Sequence, residues 1–351
     1  MARDLVRLSD VAKAAGVSQG TASNVFSRPD LVREEVRERV RETARKLGYA
    51  GPDPRGRLLR AGKSNAIGVA TAEPLSYFFD DPFARELMRG IAEACDERAA
   101  GLALVSARND ERLAWNIQSA LVDGFVLLCI ENGEKLVELT RERQLPFIAL
   151  ALGKPDESIS AIGVDDYAGA QMAARHLAEL GHRRFGILAL EFDDLTEGPV
   201  DDVRIANATY STSRDRANGY FEELALYGVA RGSIPIYETR SSAESVSRGL
   251  DHILTHQVPT AILCMSDRVA IFAIEELARR GLSVPRDISI VGFDGVPEAA
   301  TFSPPLTTIA QPIAEIGRRA VNAILESDGS VHREVLPLEL VVRQSTTRAA
   351  P

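Results

Sequence analysis

The sequence predicts two architectures in one chain: an all-α helix-turn-helix head over residues 1–50 and a larger α/β body of parallel sheets with crossover helices. Three observations carry that expectation. In the first fifty residues apolar positions recur with helical period around a turn, VAKAAGVSQGTASNVF, that contains Gly16. From residue 65 onward short apolar runs (IGVA, LALVS, FVLLCI, PFIALAL, FGILAL, AILC, ISIVG) alternate with helical stretches such as FARELMRGIAEACDERAAG and YAGAQMAARHLAELG. Such alternation builds parallel strands with helices returning over their faces. The body, roughly 280 residues, exceeds one comfortable core and its pattern restarts after 164, so it reads as two lobes.

In the head, Ser9 is placed to cap a first helix, SDVAKAAG, in which Val11, Ala12 and Ala15 share one face. Gly16 supplies the tight turn, and Ser18 caps a second helix with Ala22, Val25 and Phe26 inward. A third helix, REEVRERVRETARKLGY, turns Val36, Val40 and Leu47 inward and ends at Gly48. The second helix of such a motif enters the DNA major groove. Its outward residues Gln19, Gly20, Thr21 and Asn24 then face base edges, with Ser18 and Ser23 positioned for phosphates. Gln19 and Asn24 can each pair bidentately with adenine or equally contact the DNA backbone. Ser9 and Tyr49 complete the candidate DNA contacts of the head.

GVSQG also fits the G-x-S-x-G pattern of a hydrolase nucleophile. That elbow needs a buried strand before the serine, and DVAKAAG is alanine-rich and helical in pattern, so Ser18 is not read as a nucleophile. Along the third helix, Glu34, Glu38 and Glu42 lie three residues before Arg37, Arg41 and Arg45. The arginine stripe that begins at Arg33 therefore reads as an ion-paired, solvated face.

Charge is divided as the architecture is. Residues 1–63 hold 14 Lys/Arg against 8 Asp/Glu, a balance of +6, and the rest holds 27 against 42, a balance of −15. Only the head is suited to phosphate. Cys95, Cys129 and Cys264 stand far apart in apolar runs, which points to buried thiols in a reducing cytoplasm rather than a disulfide framework or zinc cluster. No run approaches the length of a membrane span, and MARDLVRLSD lacks the apolar core of a signal peptide. His252 and His256 have metal-pair spacing, but HILTH lacks the glutamate of H-E-x-x-H and reads as a solvated pair. No G-x-G-x-x-G or P-loop follows a strand, so no cofactor and no catalysis are expected.

The head LSDVAKAAGVSQGTASNVF, the linker RLLRAGKSNAIGVA, and the body segments VDDYAGAQMAARHLAELGHRRFGIL, RANGY, VGFDG and SPPLTTIAQP occur in an order that resembles the lactose-repressor/galactose-repressor (LacI/GalR) family of bacterial transcription regulators. The resemblance implies periplasmic-binding-protein-like lobes crossed three times by the chain, near 163, 311 and 338. That gives an N-lobe of 65–163 and 312–337 and a C-lobe of 164–311 and 338–346. It also implies a cytoplasmic homodimer on a pseudo-palindromic double-stranded operator, with no membrane partner. Residues 51–64 would be a hinge that folds on DNA and inserts Leu59 into the minor groove, with Arg57 and Arg60 beside it. The hinge is one residue longer than usual and carries Gly56 and two prolines, and Arg33 stands where the family often has Ser or Thr.

Ligands of parallel sheets lie at the carboxyl ends of strands. Asp294 ends ISIVGF, and by resemblance it accepts from ligand hydroxyls while Arg216 of RANGY donates to the ligand. Ser266 stands where the family often has Asn, and Asp267 reads as a cap for the helix VAIFAIEEL. Phe83 and Tyr77 are candidates for an aromatic wall, and Gln311 for a polar contact. The implied effector is a small molecule, a sugar or sugar derivative. Residues 191–213 read as a long polar connection at the pocket mouth. The body alone would also suit a solute-binding protein for uptake. The head and the missing signal peptide favour a regulator.

Overall fold

The computed structural model describes residues 6–51, 63–107, 110–128, 134–150, 157–193, 196–256 and 258–350. Two compact units divide the chain, Met1–Ser64 and Asn65–Pro351.

The head contains α1 (Leu8–Ala15), α2 (Gln19–Ser27) and α3 (Glu34–Leu47). Val11, Ala12, Ala15, Ala22, Val25, Val40 and Ala44 form its core, with Phe26 and Val36 packed partly against it. Gly16 and Gly48 end α1 and α3 in the left-handed region, with φ of 66° and 73°. Ser18 caps α2, its hydroxyl accepting from the Thr21 amide at 3.0 Å. Two expectations need correction. Ser9 lies inside the first turn of α1, not before it, and the Asp10 carboxylate takes the Arg7 amide at 2.9 Å instead. Leu47 is exposed: it shares the helical face of Val40 and Ala44 but sits in the last turn of α3, beyond the buried cluster of the head. On α3, Glu34 pairs with Arg37 and Glu42 with Lys46, which leaves a solvated, ion-paired surface.

The body strands are β1 (Ala66–Thr71), β2 (Gly101–Ser106), β3 (Gly124–Leu128), β4 (Phe147–Leu150), β5 (Ala161–Val164), β6 (Phe185–Ala189), β7 (Gly198–Pro199), β8 (Ile236–Glu238), β9 (Ala261–Cys264), β10 (Ser289–Asp294), β11 (Thr307–Ala310), β12 (Arg333–Leu336) and β13 (Glu339–Val341). Among the described residues they form a six-stranded sheet, β12-β5-β4-β3-β1-β2, and a seven-stranded sheet, β13-β11-β10-β9-β6-β8-β7. The first sheet is parallel throughout. In the second, the edge strands β7 and β13 run antiparallel to their neighbours, a departure from the all-parallel expectation.

The chain passes between the sheets after β5, after β11, and between β12 and β13. Ile67 and Val69 of β1 pack beneath Leu87 and Ile91 of the helix Pro82–Glu97 and Ala320 and Ile324 of the helix Ile313–Leu325. Ala70, Phe125 and Leu127 join Leu113, Ile117 and Leu136 in a second apolar cluster. Burial on both faces explains why the central strands read as continuous apolar runs, each large side chain contributing about 1.5–3 kcal/mol. No helix among the described residues is long and apolar enough to cross a membrane. Cys95 and Cys264 are buried free thiols, and Cys129 lies outside the described residues.

Candidate functional site

A cleft of about 1390 Å³ opens where the two sheets direct the carboxyl ends of their strands. Ala72 follows β1, Glu191 β6, Ser266 β9 and Gln311 β11, and Asp294 ends β10. Tyr77, Phe83, Arg216, Ser266, Asp294 and Gln311, singled out from the sequence, all line this cleft.

Arg216 is the centre of its polar floor. It rises from the helix Ser211–Leu226 and is 4% exposed. Its Nε donates to Asp166 Oδ1 at 2.8 Å, its Nη1 donates to the Met265 carbonyl, and its Cζ lies over the Phe293 ring, 3.6 Å from the centroid. Asp294 Oδ1 stands 3.7 Å from Nη1. Burial works against the Arg216 charge, but Asp166 and Asp294 outweigh it and hold the guanidinium pKa above its ordinary value. Burial likewise pushes Asp294 well above the usual carboxylate range, with Arg216 opposing and Asp267 adding to the rise. Asp166 is raised by burial against the same arginine. Removing one member of such a buried set leaves an uncompensated charge, a loss of about 3–5 kcal/mol.

Asp294 has φ of 122°, a backbone region that ordinarily belongs to glycine and costs roughly 1–3 kcal/mol to occupy. Gln311 Nε2 donates to Asp294 Oδ1 at 2.9 Å, and the Gln311 amide donates to the Asp294 carbonyl at the same distance. The glycines of VGFDG make room for this arrangement. A Cβ at Gly292 would stand 2.3 Å from Asp267 Oδ1, and one at Gly295, where φ is 76°, would stand 2.6 Å from the Ala310 Cα.

The expected cap at Asp267 is misplaced by one residue. Ser266 caps the helix Asp267–Arg279, its hydroxyl accepting from the Val269 amide at 3.1 Å, because its extended backbone precedes the first helical residue. The Ser266 proton remains able to donate into the cleft. Asp267, fully buried, faces the other way. It accepts from the amides of Gly295 at 2.7 Å and Val296 at 2.9 Å and from the Thr308 hydroxyl at 2.5 Å.

Several cleft residues escaped the sequence reading. Asp166 lies within VDDYAGA, and its place just after β5 was the available signal. Asp81 accepts from Arg268 Nη1 at 3.1 Å across the cleft, while its other oxygen caps the helix Pro82–Glu97. A second cross-lobe pair joins Arg85 to Glu298. Glu191 is pushed up to about 7 by burial, with Arg240 opposing and Glu73 adding to the rise. These relationships join residues far apart in the chain, and nothing local announces them.

The described residues of 191–213 form more regular structure than a polar connection. They include the edge strand β7 and the helix Asp202–Ala206. Arg204 ties this segment down, pairing with the buried Glu238 and with Asp193 at 3.0 Å. Arg240 donates to the carbonyls of Asp193 at 3.1 Å and Thr196 at 2.6 Å.

In the head, Gln19 and Gly20 are exposed on α2, and Thr21, Ser23 and Asn24 are partly exposed. Ser18 and Thr21 share a hydroxyl contact of 2.9 Å. Ser9 is exposed, and Tyr49 is half-buried, edge-on to Phe26 at 5.7 Å between centroids. Arg57, Leu59 and Arg60 lie outside the described residues. The rings of His252 and His256 lie 4.2 Å apart, tilted by 48°, and the described residues contain no group of three or more His, Cys, Asp or Glu able to hold a metal.

Residues 7–51 match the family described as bacterial regulatory proteins, lacI family, and residues 174–346 match a periplasmic binding protein-like domain. The chain is 36% identical over 342 residues to the HTH-type transcriptional regulator Rv3575c of Mycobacterium tuberculosis, covering 95% of each. Among solved structures it is similar to the lac repressor dimer bound to operator and the anti-inducer ONPF, with 26% identity, a TM-score of 0.75, and coverage of 97% of this chain and 99% of that one. It is similar also to the transcriptional regulator CelR–cellobiose complex, with 27% identity, a TM-score of 0.69, and 97% and 99% coverage.

Proposed function

The chain belongs to the lacI family of bacterial regulatory proteins and is an HTH-type transcriptional regulator, and on that premise we propose that it is a repressor whose hold on operator DNA is set by a sugar or sugar derivative in the cleft. The observation that carries this reading is the set of polar groups around Arg216, Asp294, Gln311 and Ser266 on the floor of a cleft with Tyr77 and Phe83 on its opposite lobe. Asp294 and Gln311 offer acceptors and Ser266 and Arg216 donors, which suits a ring of hydroxyls. Tyr77 and Phe83 supply the apolar face that such a ring presents on one side. The cellobiose of the CelR complex is a ligand of that chemical kind.

At the other end of the chain, Gln19, Gly20, Thr21 and Asn24 face base edges, Ser18 and Ser23 engage phosphates, and Ser9 and Tyr49 complete the contacts of the head. Residues 51–64 serve as that hinge, with Leu59 as the groove wedge and Arg57 and Arg60 beside it. The protein acts as a cytoplasmic homodimer on a pseudo-palindromic operator, one head to each half-site. Effector binding moves the lobes, changes the spacing of the paired heads, and couples the two sites by about 1–3 kcal/mol, reciprocally.

The test is to select genomic fragments with the full-length protein, then titrate the bound fragment with neutral sugars, sugar phosphates and purines. Release or tightening by a sugar, lost in Asp294→Ala, supports the proposal. Fragment binding that survives Asn24→Ala and Gln19→Ala together would remove the assignment to α2.

A further inference from the structure

Asp294 stands in a backbone conformation that an aspartate does not choose for itself, so something outside the residue must hold it there. Two restraints meet at the turn that follows it. From β11, the Gln311 amide donates to the Asp294 carbonyl at 2.9 Å. From the helix Asp267–Arg279, the Asp267 carboxylate reaches under the turn, one oxygen taking the amides of Gly295 and Val296 and the other the Thr308 hydroxyl of β11. Asp267 thus ties together the turn after β10, the adjacent strand, and the helix that Ser266 starts. Gly292 leaves the space its carboxylate occupies.

We propose that Asp267 is a positioning residue for effector binding: by clamping the Gly295 and Val296 amides it fixes the strained Asp294 backbone and aims that carboxylate into the cleft. The proposal rests on the reading that Asp294 contacts the effector. Without the clamp, the two amides lose their acceptor, residue 294 relaxes toward negative φ, and its carboxylate leaves Gln311 and Arg216. Geometry rather than charge is the means. An asparagine at 267 can set its single oxygen where both amides converge and donate its side-chain amide to Thr308 Oγ1, whose proton turns to the Ile309 carbonyl, 3.4 Å away, so the Thr308 arm is kept. Asp267→Asn therefore keeps the clamp, and Asp267→Ala abolishes it.

The experiment compares full-length wild type, Asp267→Asn and Asp267→Ala by two readouts: cellobiose affinity, and amide hydrogen exchange at Gly295 and Val296 in the unliganded protein. We expect Asp267→Ala to weaken cellobiose by about tenfold or more and to speed exchange at both amides by a similar factor. Asp267→Asn stays within about threefold of wild type in both, and operator affinity is unchanged in either variant. A merely structural role would lower the melting temperature of Asp267→Ala without moving its cellobiose affinity, and that result overturns the proposal. Equal losses in the two variants would overturn it also, assigning the effect to charge. Should Asp267→Ala not fold, Thr308→Val removes one arm of the clamp, and unchanged exchange and affinity in that variant count against the proposal. If wild type does not bind cellobiose, the effector reading fails for that sugar, and exchange at the two amides still decides whether Asp267 holds the turn.

Discussion

Arg268 of the C-lobe donates to Asp81 of the N-lobe at 3.1 Å, across the mouth of the cleft that both residues line. Asp81 has a second duty, since its other oxygen caps a helix. The substitution that isolates the ion pair is therefore Asp81→Ser, which retains a capping hydroxyl. We expect Asp81→Ser and Arg268→Ala each to weaken effector binding by about three- to tenfold, and the double variant to lose no more than either alone, as for groups that act as a unit. Calorimetric titration of the four proteins measures this. Fully additive losses would show that the pair does not couple the lobes.

Gly295→Ala should destabilise the body by about 2–4 kcal/mol, since an L side chain at φ 76° is strained and its Cβ would meet the Ala310 backbone. A fall of several degrees in melting temperature is the expected reading. Gly232→Ala, where a Cβ meets nothing within 4 Å, is the control and should change stability by about 0.5 kcal/mol or less.

The head offers a sharper contrast between two serines. Ser18→Ala removes the α2 cap and should cost about 1 kcal/mol, read as faster amide exchange at Thr21 and weaker operator binding. Ser9→Ala, inside α1 and exposed, should leave exchange unchanged. Any loss of operator affinity in Ser9→Ala then reports a direct DNA contact.

Glu191 carries a pH dependence. Its carboxyl is pushed from 4.5 up to about 7, so between those values the folded protein holds a proton that the unfolded chain has released. Stability from this group is present below about pH 4.5 and declines as pH rises to about 7. Glu191→Gln should therefore stabilise the protein above pH 7, by at most about 3 kcal/mol before allowance for solvent screening, and have little effect at pH 4. Denaturant melts of both proteins across this range make the comparison. A variant no more stable than wild type at pH 8 would contradict the assignment.

The parts legible in the sequence were those governed by local pattern. Apolar runs marked the central strands because both faces of each sheet are covered, and the head followed from helical period and the Gly16 turn. The edge strands β7, β12 and β13 were missed because exposed, short strands carry no apolar run, and the interior strands β5, β8 and β11 were missed because each spans only three or four residues. Asp294 and Arg216 could be named from where they fall in the chain. Their dependence on Asp166 and Asp267 could not, since those contacts span 50 and 28 residues. Leu47 was misplaced because an apolar residue in the last turn of a helix reads as inward whether or not the stripe reaches it.

The three passages of the chain between the sheets bear on how the protein is made. As the polypeptide leaves the ribosome, β5 has no partner on its outer side until residues 333–336 have emerged, and the helix Ile313–Leu325 that covers β3, β4 and β5 arrives only shortly before. The other sheet waits for β13 to close the flank of β11. Neither sheet can close until residues 313–341 have emerged, and that stretch completes both within moments of each other. A stop codon just before Ile313 would leave two unfinished sheets with open edges, a product for chaperones and proteases rather than a smaller working protein.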